Sequence, residues 1–251
     1  MNWLINLFDP IVVTALGKMI LHSLWQGSLI AFLLYIVLKL IPEKFAHFRH
    51  ELSALALFLV FVSALSTFLT NLHTPILSLS SSAEEIIWLS APLQNTYLQK
   101  DLTIYTTVII WFLGFLILGS RLIVNYFKLY HIRKNSTRIV QYQIVSMIKR
   151  LSLQLGVKKG VAAVESSMTK IPGTIGYLKP IILMPISSAT QLTPDQLEAI
   201  LAHELAHIKR SDFLLNLIYT FIETIFYYHP AVWWIADQLE HERECDCDDM
   251  A

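Results

Sequence analysis

Three long apolar runs dominate the first half of the chain. The stretch MILHSLWQGSLIAFLLYIVLKL, Met19 to Leu40, carries no Lys, Arg, Asp or Glu before Lys39. LSALALFLVFVSALSTFLT, Leu52 to Thr70, has no charge at all, and Leu102 to Val124 holds only Arg121. At about 1.5 Å per residue each run is long enough to cross a hydrocarbon core of about 30 Å. The pattern predicts transmembrane helices at about 19–40, 52–70 and 102–124, within a membrane region of residues 1–125. Lys18 and the lack of a small-residue cleavage pattern make the first run a retained span. Its His22 and Gln26 share a helical face and are expected to hydrogen-bond to neighbouring helices, with a proton-relay or ligand role as the alternative.

Residues 71–101 are punctuated by Ser and Pro, and predict a loop with one short amphipathic helix around Glu84 to Leu89. After residue 125 the patterning becomes that of a soluble unit. An amphipathic helix is expected from about Val140 to Leu155, ended by Gly156. Strands are expected at Val161–Val164 and Ile181–Met184, with the turn-rich TKIPGTIGYLKP between them. The fold class is thus a mainly α membrane protein carrying a small α+β domain over residues 126–251.

Composition supports the membrane assignment: 55% of the 251 residues are hydrophobic and 15% charged. Nineteen basic and nineteen acidic side chains cancel, so no global field argues for direct nucleic-acid binding. Basic residues do set an orientation. Lys44 and Arg49 follow the first span, and Lys128, Arg133, Lys134 and Arg138 follow the third, whereas 71–101 holds only Lys100. The expected topology is a multi-pass protein of the inner (cytoplasmic) membrane, with an extracytoplasmic amino terminus and residues 126–251 on the cytoplasmic side. Cys245 and Cys247 are too close on a helix for an ordinary disulfide and read as free thiols.

The candidate chemistry lies in LTPDQLEAILAHELAHIKRSD. Thr193, Pro194 and Gln196 form a helix start with a capping hydroxyl, a proline at the first helical position and a side chain able to complete a capping box. On that helix His203 and His207 project from one face, one turn apart, and both imidazoles can reach one Zn2+. Glu204 is about 100° round the helix, beside the metal, where a carboxylate can take a proton from water. H-E-x-x-H on a capped helix is a specific signal for a zinc peptidase.

A third ligand has to come from elsewhere, and the tail EHERECDCDDMA offers Glu240, His241, Glu242, Glu244, Cys245, Asp246 and Asp248; spacing does not choose among them. Between motif and tail runs the apolar stretch Phe213 to Tyr228. Had it crossed the bilayer once, the tail and the histidines would lie on opposite sides. A membrane-associated helical hairpin turning near His229 and Pro230 is therefore expected, a true fourth span being the alternative.

Taken together, LHSLWQGSLIAFLLY, IPGTIGYLKPIILMP, the zinc motif, YYHPAVWW and RECDCDD resemble, in that order, the BlaR/MecR-type integral-membrane zinc metallopeptidases. The resemblance implies a gluzincin-like domain in which Glu244, from R-E-x-x-C-D, is the third zinc ligand. It also makes Asp248 a partner that fixes a ligand histidine and gives Ile181–Met184 a role as an edge strand pairing with extended substrate. The implied activity is zinc endopeptidase cleavage in regulated proteolysis or signal transduction, as in antibiotic response. The substrate is then a cytoplasmic transcriptional repressor or the chain itself, with membrane lipids as surroundings and no particular oligomeric state implied. A housekeeping CAAX-processing or quality-control peptidase, and a non-catalytic signalling receptor, are the alternatives. The sequence ends at Ala251, within the helix bearing Glu244, so the domain is expected to be truncated there, short of the family transducers' further span and sensor.

Overall fold

A computed structural model describes residues 9–73, 90–135, 137–138, 142–167, 169, 172–185 and 192–250. Helix α1 spans Pro10–Leu40, α2 Ala46–His73 and α3 Ser90–Asn135. Among the described residues these are the three helices long and apolar enough to cross a membrane. Each outruns the apolar run that predicts it, because hydropathy locates the part suited to lipid and not the caps. Helix α1 starts at Pro10 because the Asp9 carboxylate accepts the Ile11 N–H at 2.9 Å and proline suits the first helical position. Both ends of the expected 71–101 loop are helical, in α2 up to His73 and in α3 from Ser90; the helix expected at Glu84–Leu89 lies outside the described residues.

The chain divides into two compact units. The first holds Met1–Pro42, Glu51–Leu118 and Ile225–Ala236. Val13, Leu57, Val60, Phe226, Val232 and Ile235 are buried in it, while Phe32, Phe58, Ile110 and Leu113 are exposed, as lipid-facing side chains should be. Several of its polar groups are satisfied across elements. The His229 Nε2–H donates to the Ser23 carbonyl at 2.9 Å, and His229 Nδ1 accepts the Ala231 N–H at 3.2 Å. These two bonds define one neutral tautomer. The Tyr228 and Ser23 hydroxyls share a hydrogen bond of 2.8 Å. Gln26 donates to Thr67 of α2 at 3.3 Å, as expected, but His22 is exposed and, among the described residues, accepts from Trp25 of its own helix.

The second unit holds Glu43–His50, Gly119–Thr224 and Asp237–Ala251. Its strands are β1 (Thr137–Arg138), β2 (Ala162–Ser166), β3 (Gly173–Ile175) and β4 (Ile181–Pro185), in sheet order β1-β2-β4-β3. Strands β2 and β4 are parallel, with Ala163 opposite Ile182. Helices α4 (Tyr142–Leu155) and α5 (Pro194–Arg210) pack on one sheet face, burying Ile148, Leu151, Ile182, Met184, Leu201 and Leu205 together. The other face buries Val164, Ile175, Ile181 and Leu183. With both faces covered, IILMP is apolar without alternation.

This topology corrects the edge-strand expectation. Strand β4, which contains Ile181–Met184, pairs with β2 on one side and β3 on the other, so it has no free edge. The edge belongs to Gly173–Ile175, inside the segment read as a turn. Within that segment Gly176, at φ 93°, takes the left-handed conformation open to glycine, and bends follow at 177–179.

Helix α6 (Asp212–Ile225) is followed by a turn and by α7 (Pro230–Met250). At about 21 Å, α6 is too short to cross a bilayer alone. Arg243 on α7 donates to Asn216 on α6 at 3.3 Å, so the two helices form an antiparallel hairpin turning at Phe226–His229.

The close approach of α1 to this turn generates a prediction. A Cβ at Gly27 would lie 2.5 Å from His229 Nε2. Glycine to alanine within a helix ordinarily stabilises by about 0.5–1 kcal/mol. Here overpacking should reverse the sign, with Gly27→Ala destabilising by about 1–3 kcal/mol, read as a lower thermal midpoint in detergent.

Candidate metal centre

Helix α5 begins as the sequence requires: the Thr193 hydroxyl accepts the Gln196 N–H at 3.3 Å while the Gln196 side chain accepts the Thr193 N–H at 3.0 Å. That start fixes the rotational phase of the helix. His203 Nε2 and His207 Nε2 face one another at 3.1 Å, and Glu244 Oε2, from α7, lies 3.5 Å from the first and 3.6 Å from the second. The three atoms sent to one point by the motif and the hairpin are thus brought together.

The remaining atoms of these side chains are occupied. His203 Nδ1 is 2.8 Å from Asp248 Oδ1, and His207 Nδ1 is 2.8 Å from Asp212 Oδ2. A carboxylate only accepts, so each Nδ1 carries a proton, and in the neutral imidazoles each Nε2 presents a lone pair. Glu244 Oε1 accepts from Arg243 Nη2 at 3.0 Å and Nε at 3.1 Å, leaving Oε2 for the histidines. Three acceptors then converge with no donor among them, an arrangement that calls for a shared cation. A tetrahedral ion with ligand distances of about 2.0–2.2 Å spaces its donors by about 3.3–3.6 Å. The observed 3.1–3.6 Å triangle fits that geometry.

Glu204 is buried and adjoins this triangle without joining it. Its Oε2 accepts the Thr174 hydroxyl at 2.7 Å, from the edge strand β3. All these groups except Asp248 open on one cavity of about 410 Å³, which is also lined by Lys159, Tyr177 and Ser211.

Three contributors were not among the site residues read from the sequence: Asp212, Arg243 in its contact with Glu244, and Thr174. Asp212 had the most visible signal, a carboxylate just past the basic end of α5, where the helix dipole disfavours it. It is tolerated because Ser211, at φ 65°, ends the helix in the left-handed region and Asp212 opens α6 instead.

Electrostatics follow the contacts. Burial would push the His207 imidazole below its ordinary 6.5, but the hydrogen bond to Asp212 and the negative charges of Glu244, Asp212 and Glu204 outweigh it and hold it above. For Asp212, burial works upward, while the His207 hydrogen bond and the charges of Arg210, His207 and Arg243 bring it below 3.8. Cys247 is fully buried, its Sγ 3.6 Å from Asp212 Oδ2. Burial, then the Asp212 charge, pushes its thiol up to about 12 despite Arg210, so it is a protonated neighbour and not a thiolate. Cys245 is also a free thiol.

Residues 14–251 match the family described as BlaR1 peptidase M56. The chain belongs to this family. Over 139 residues it is 25% identical to "Regulatory protein BlaR1" of Bacillus licheniformis, which covers 55% of this chain and 23% of that protein. It is 29% identical over 91 residues to "Methicillin resistance mecR1 protein" of Staphylococcus aureus (strain Mu50), covering 36% and 16% respectively. "Protease HtpX homolog 2" of Methanosarcina acetivorans is 32% identical over 90 residues, covering 34% of this chain and 30% of that protein. In each case less than a third of the relative is spanned. The chain is therefore a membrane protein of a peptidase family, and membership in a metallopeptidase family implies a metal.

The Asp212 contact generates the second prediction. Asp212→Asn should weaken zinc binding by about 10–100-fold, as loss of a carboxylate behind a ligand histidine commonly does. Because His207 titrates above 6.5, protons displace metal progressively as pH falls through that raised value. Asp212→Asn removes the upward pull of the Asp212 charge, so the pH below which protons begin to weaken metal binding should move lower while affinity at neutral pH drops. Competition with a zinc-sensitive dye across acidic to neutral pH reads both.

Proposed function

We propose that this protein is a membrane-embedded zinc metalloendopeptidase acting in regulated proteolysis. The observation that carries the reading is the convergence of two lone-pair nitrogens and one carboxylate oxygen beside a buried glutamate. His203, His207 and Glu244 hold Zn2+, Asp248 and Asp212 keep the two imidazoles in the ligating tautomer, and Arg243 holds Glu244 to one oxygen. When bound, zinc polarises a substrate carbonyl and makes water acidic enough to attack near neutral pH.

Glu204 moves the proton. Thr174 fixes Glu204 Oε2, and Oε1 makes no hydrogen bond to any described residue, so it is the oxygen that accepts a proton from the attacking water. As the C–N bond breaks, the same carboxyl delivers the proton to the departing amine nitrogen, so one proton is taken and one returned. An extended substrate adds to the free edge of β3 by backbone hydrogen bonds, which brings a carbonyl past Thr174 toward the metal ligands.

The concentration of basic residues at 44–49 and 128–138 supports a cytoplasmic site in an inner-membrane protein with its amino terminus outside. The names of the BlaR1 and mecR1 relatives, a regulatory protein and a methicillin-resistance protein, support a signalling role with a cytoplasmic repressor or the chain itself as substrate. The resemblance to a protease HtpX homolog favours a second reading, housekeeping cleavage of membrane proteins on the same chemistry. A purely conformational receptor has no use for a buried carboxylate beside the ligand set.

Glu204→Gln is isosteric and does not touch the ligand triangle. That variant should bind about one zinc per chain, as the wild type does, and lose peptide cleavage by a factor of about 100 or more. Zinc stoichiometry by elemental analysis together with cleavage of a quenched fluorescent peptide pool tests this. Retained cleavage would remove Glu204 from the mechanism, and failure of the wild type to bind zinc would remove the mechanism altogether.

A further inference from the structure

The cavity beside the ligand triangle contains one cation that the proposed chemistry does not use. Lys159, in the connection from α4 to β2, donates to Ser211 Oγ at 3.1 Å, and its Nζ stands 3.8 Å over the Tyr177 ring. Both tethers are themselves cavity walls, Ser211 at the end of α5 and Tyr177 just past β3. The hydrogen bond and the ring together hold the ammonium in place, a geometry in which cation–π attraction is favourable.

Arg243, the other cation lining this cavity, is neutralised, as is Arg210 of the histidine helix. Arg243 pairs with Glu240 and Glu244, and Arg210 pairs with Asp212 and Asp246. Lys159, by contrast, makes no ion pair with any described residue. An ammonium has three donors. Ser211 takes one and an aromatic face shields another side, which leaves donor capacity free to meet a group that enters the cavity.

We infer that Lys159 is a specificity-determining residue that receives a substrate carboxylate, either an Asp or Glu side chain or a free C-terminus, in the cavity that holds the metal ligands. The inference rests on the peptidase reading and names its substrate class. A fixed ammonium gains more from a carboxylate than from a neutral side chain, because a charge-assisted hydrogen bond is roughly twice as strong as a neutral one. It also repels Lys and Arg at the same position. A different reading, that Lys159 only complements the carboxyl end of α5, predicts an effect on stability and none on peptide choice.

The test uses the zinc-loaded full-length protein in detergent and a peptide set in which Asp, Glu, Asn, Gln or Lys is scanned through positions around the cleaved bond. Each peptide is made with a free and with an amidated C-terminus. Wild-type kcat/KM should be about ten- to a hundredfold higher for peptides with a carboxylate at one position than for their amide counterparts. Dependence on the scanned residue in amidated peptides identifies a side-chain carboxylate; dependence on the free terminus alone identifies a C-terminal one. In Lys159→Met the acid-to-amide ratio should fall to near one, and in Lys159→Glu it should invert in favour of Lys. Dissociation constants of the same peptides for the Glu204→Gln protein, with and without Lys159→Met, should show the same ratios without turnover. Absence of a carboxylate preference in the wild type, or a preference that survives Lys159→Met, overturns the inference while leaving the peptidase reading standing. If the zinc-loaded wild type cleaves none of the peptides, the peptidase reading fails and the inference falls with it.

Discussion

Two imidazole nitrogens that cannot donate to each other face across 3.1 Å, with a carboxylate oxygen within 3.6 Å of both. Left alone, these atoms repel. A proton relieves the repulsion at low pH, in keeping with the upward shift of His207, and a divalent cation at the same point would relieve it at neutral pH. Much of the surrounding structure consists of devices that keep the three atoms close despite that repulsion. Carboxylates hold both Nδ1 protons in place, Arg243 takes the unused oxygen of Glu244, and the capping box sets the phase of α5 so that its histidines point one way.

The break at Ser211 is the least obvious of these devices. Were α5 to continue, residue 212 would project about 140° round the helix from His207, too far for its carboxylate to reach the imidazole. The left-handed residue ends α5 within one position, so Asp212 both reaches His207 Nδ1 and begins α6. A carboxylate that would be unfavourable at the end of one helix becomes favourable at the start of the next. The same break begins the hairpin that returns Glu244. One backbone conformation thus serves both the histidine side of the site and the glutamate side.

This explains which parts of the molecule were readable from the chain. The three spans, the capped helix with His203, Glu204 and His207, and the need for a hairpin all follow from periodicity, capping and reach, which are local or topological. Asp212 and Thr174 were missed because their roles depend on a single left-handed residue and on a strand pairing that no pattern announces. The strand Gly173–Ile175 was hidden by its composition: Pro172, Gly173 and Gly176 read as turn, yet an edge strand of three residues needs little intrinsic propensity when β4 supplies its partner. Choosing Glu244 among the acidic tail residues took the family resemblance, since spacing alone left that choice open.

The acidic tail, once folded, is two stripes on one helix. Glu244 and Asp248, four apart, share the face of α7 turned to the histidines. Glu242 and Asp246, also four apart, lie about 200° away and are almost fully buried in ion pairs. Glu242 meets Arg49 at 2.6 Å, and Asp246 meets Arg210 and, at 3.0 Å, His47. Arg49 and His47 belong to the first turn of α2, and Arg210 to the end of the histidine helix. A buried carboxylate deprived of its cation is strongly unfavourable, so these pairs fix the rotation of α7 more firmly than exposed pairs would. Because a helix turns as a unit, the rotation that satisfies Glu242 and Asp246 is the one that presents Glu244. The position of the candidate third ligand is therefore set from the far side of its own helix as much as by the metal site it faces.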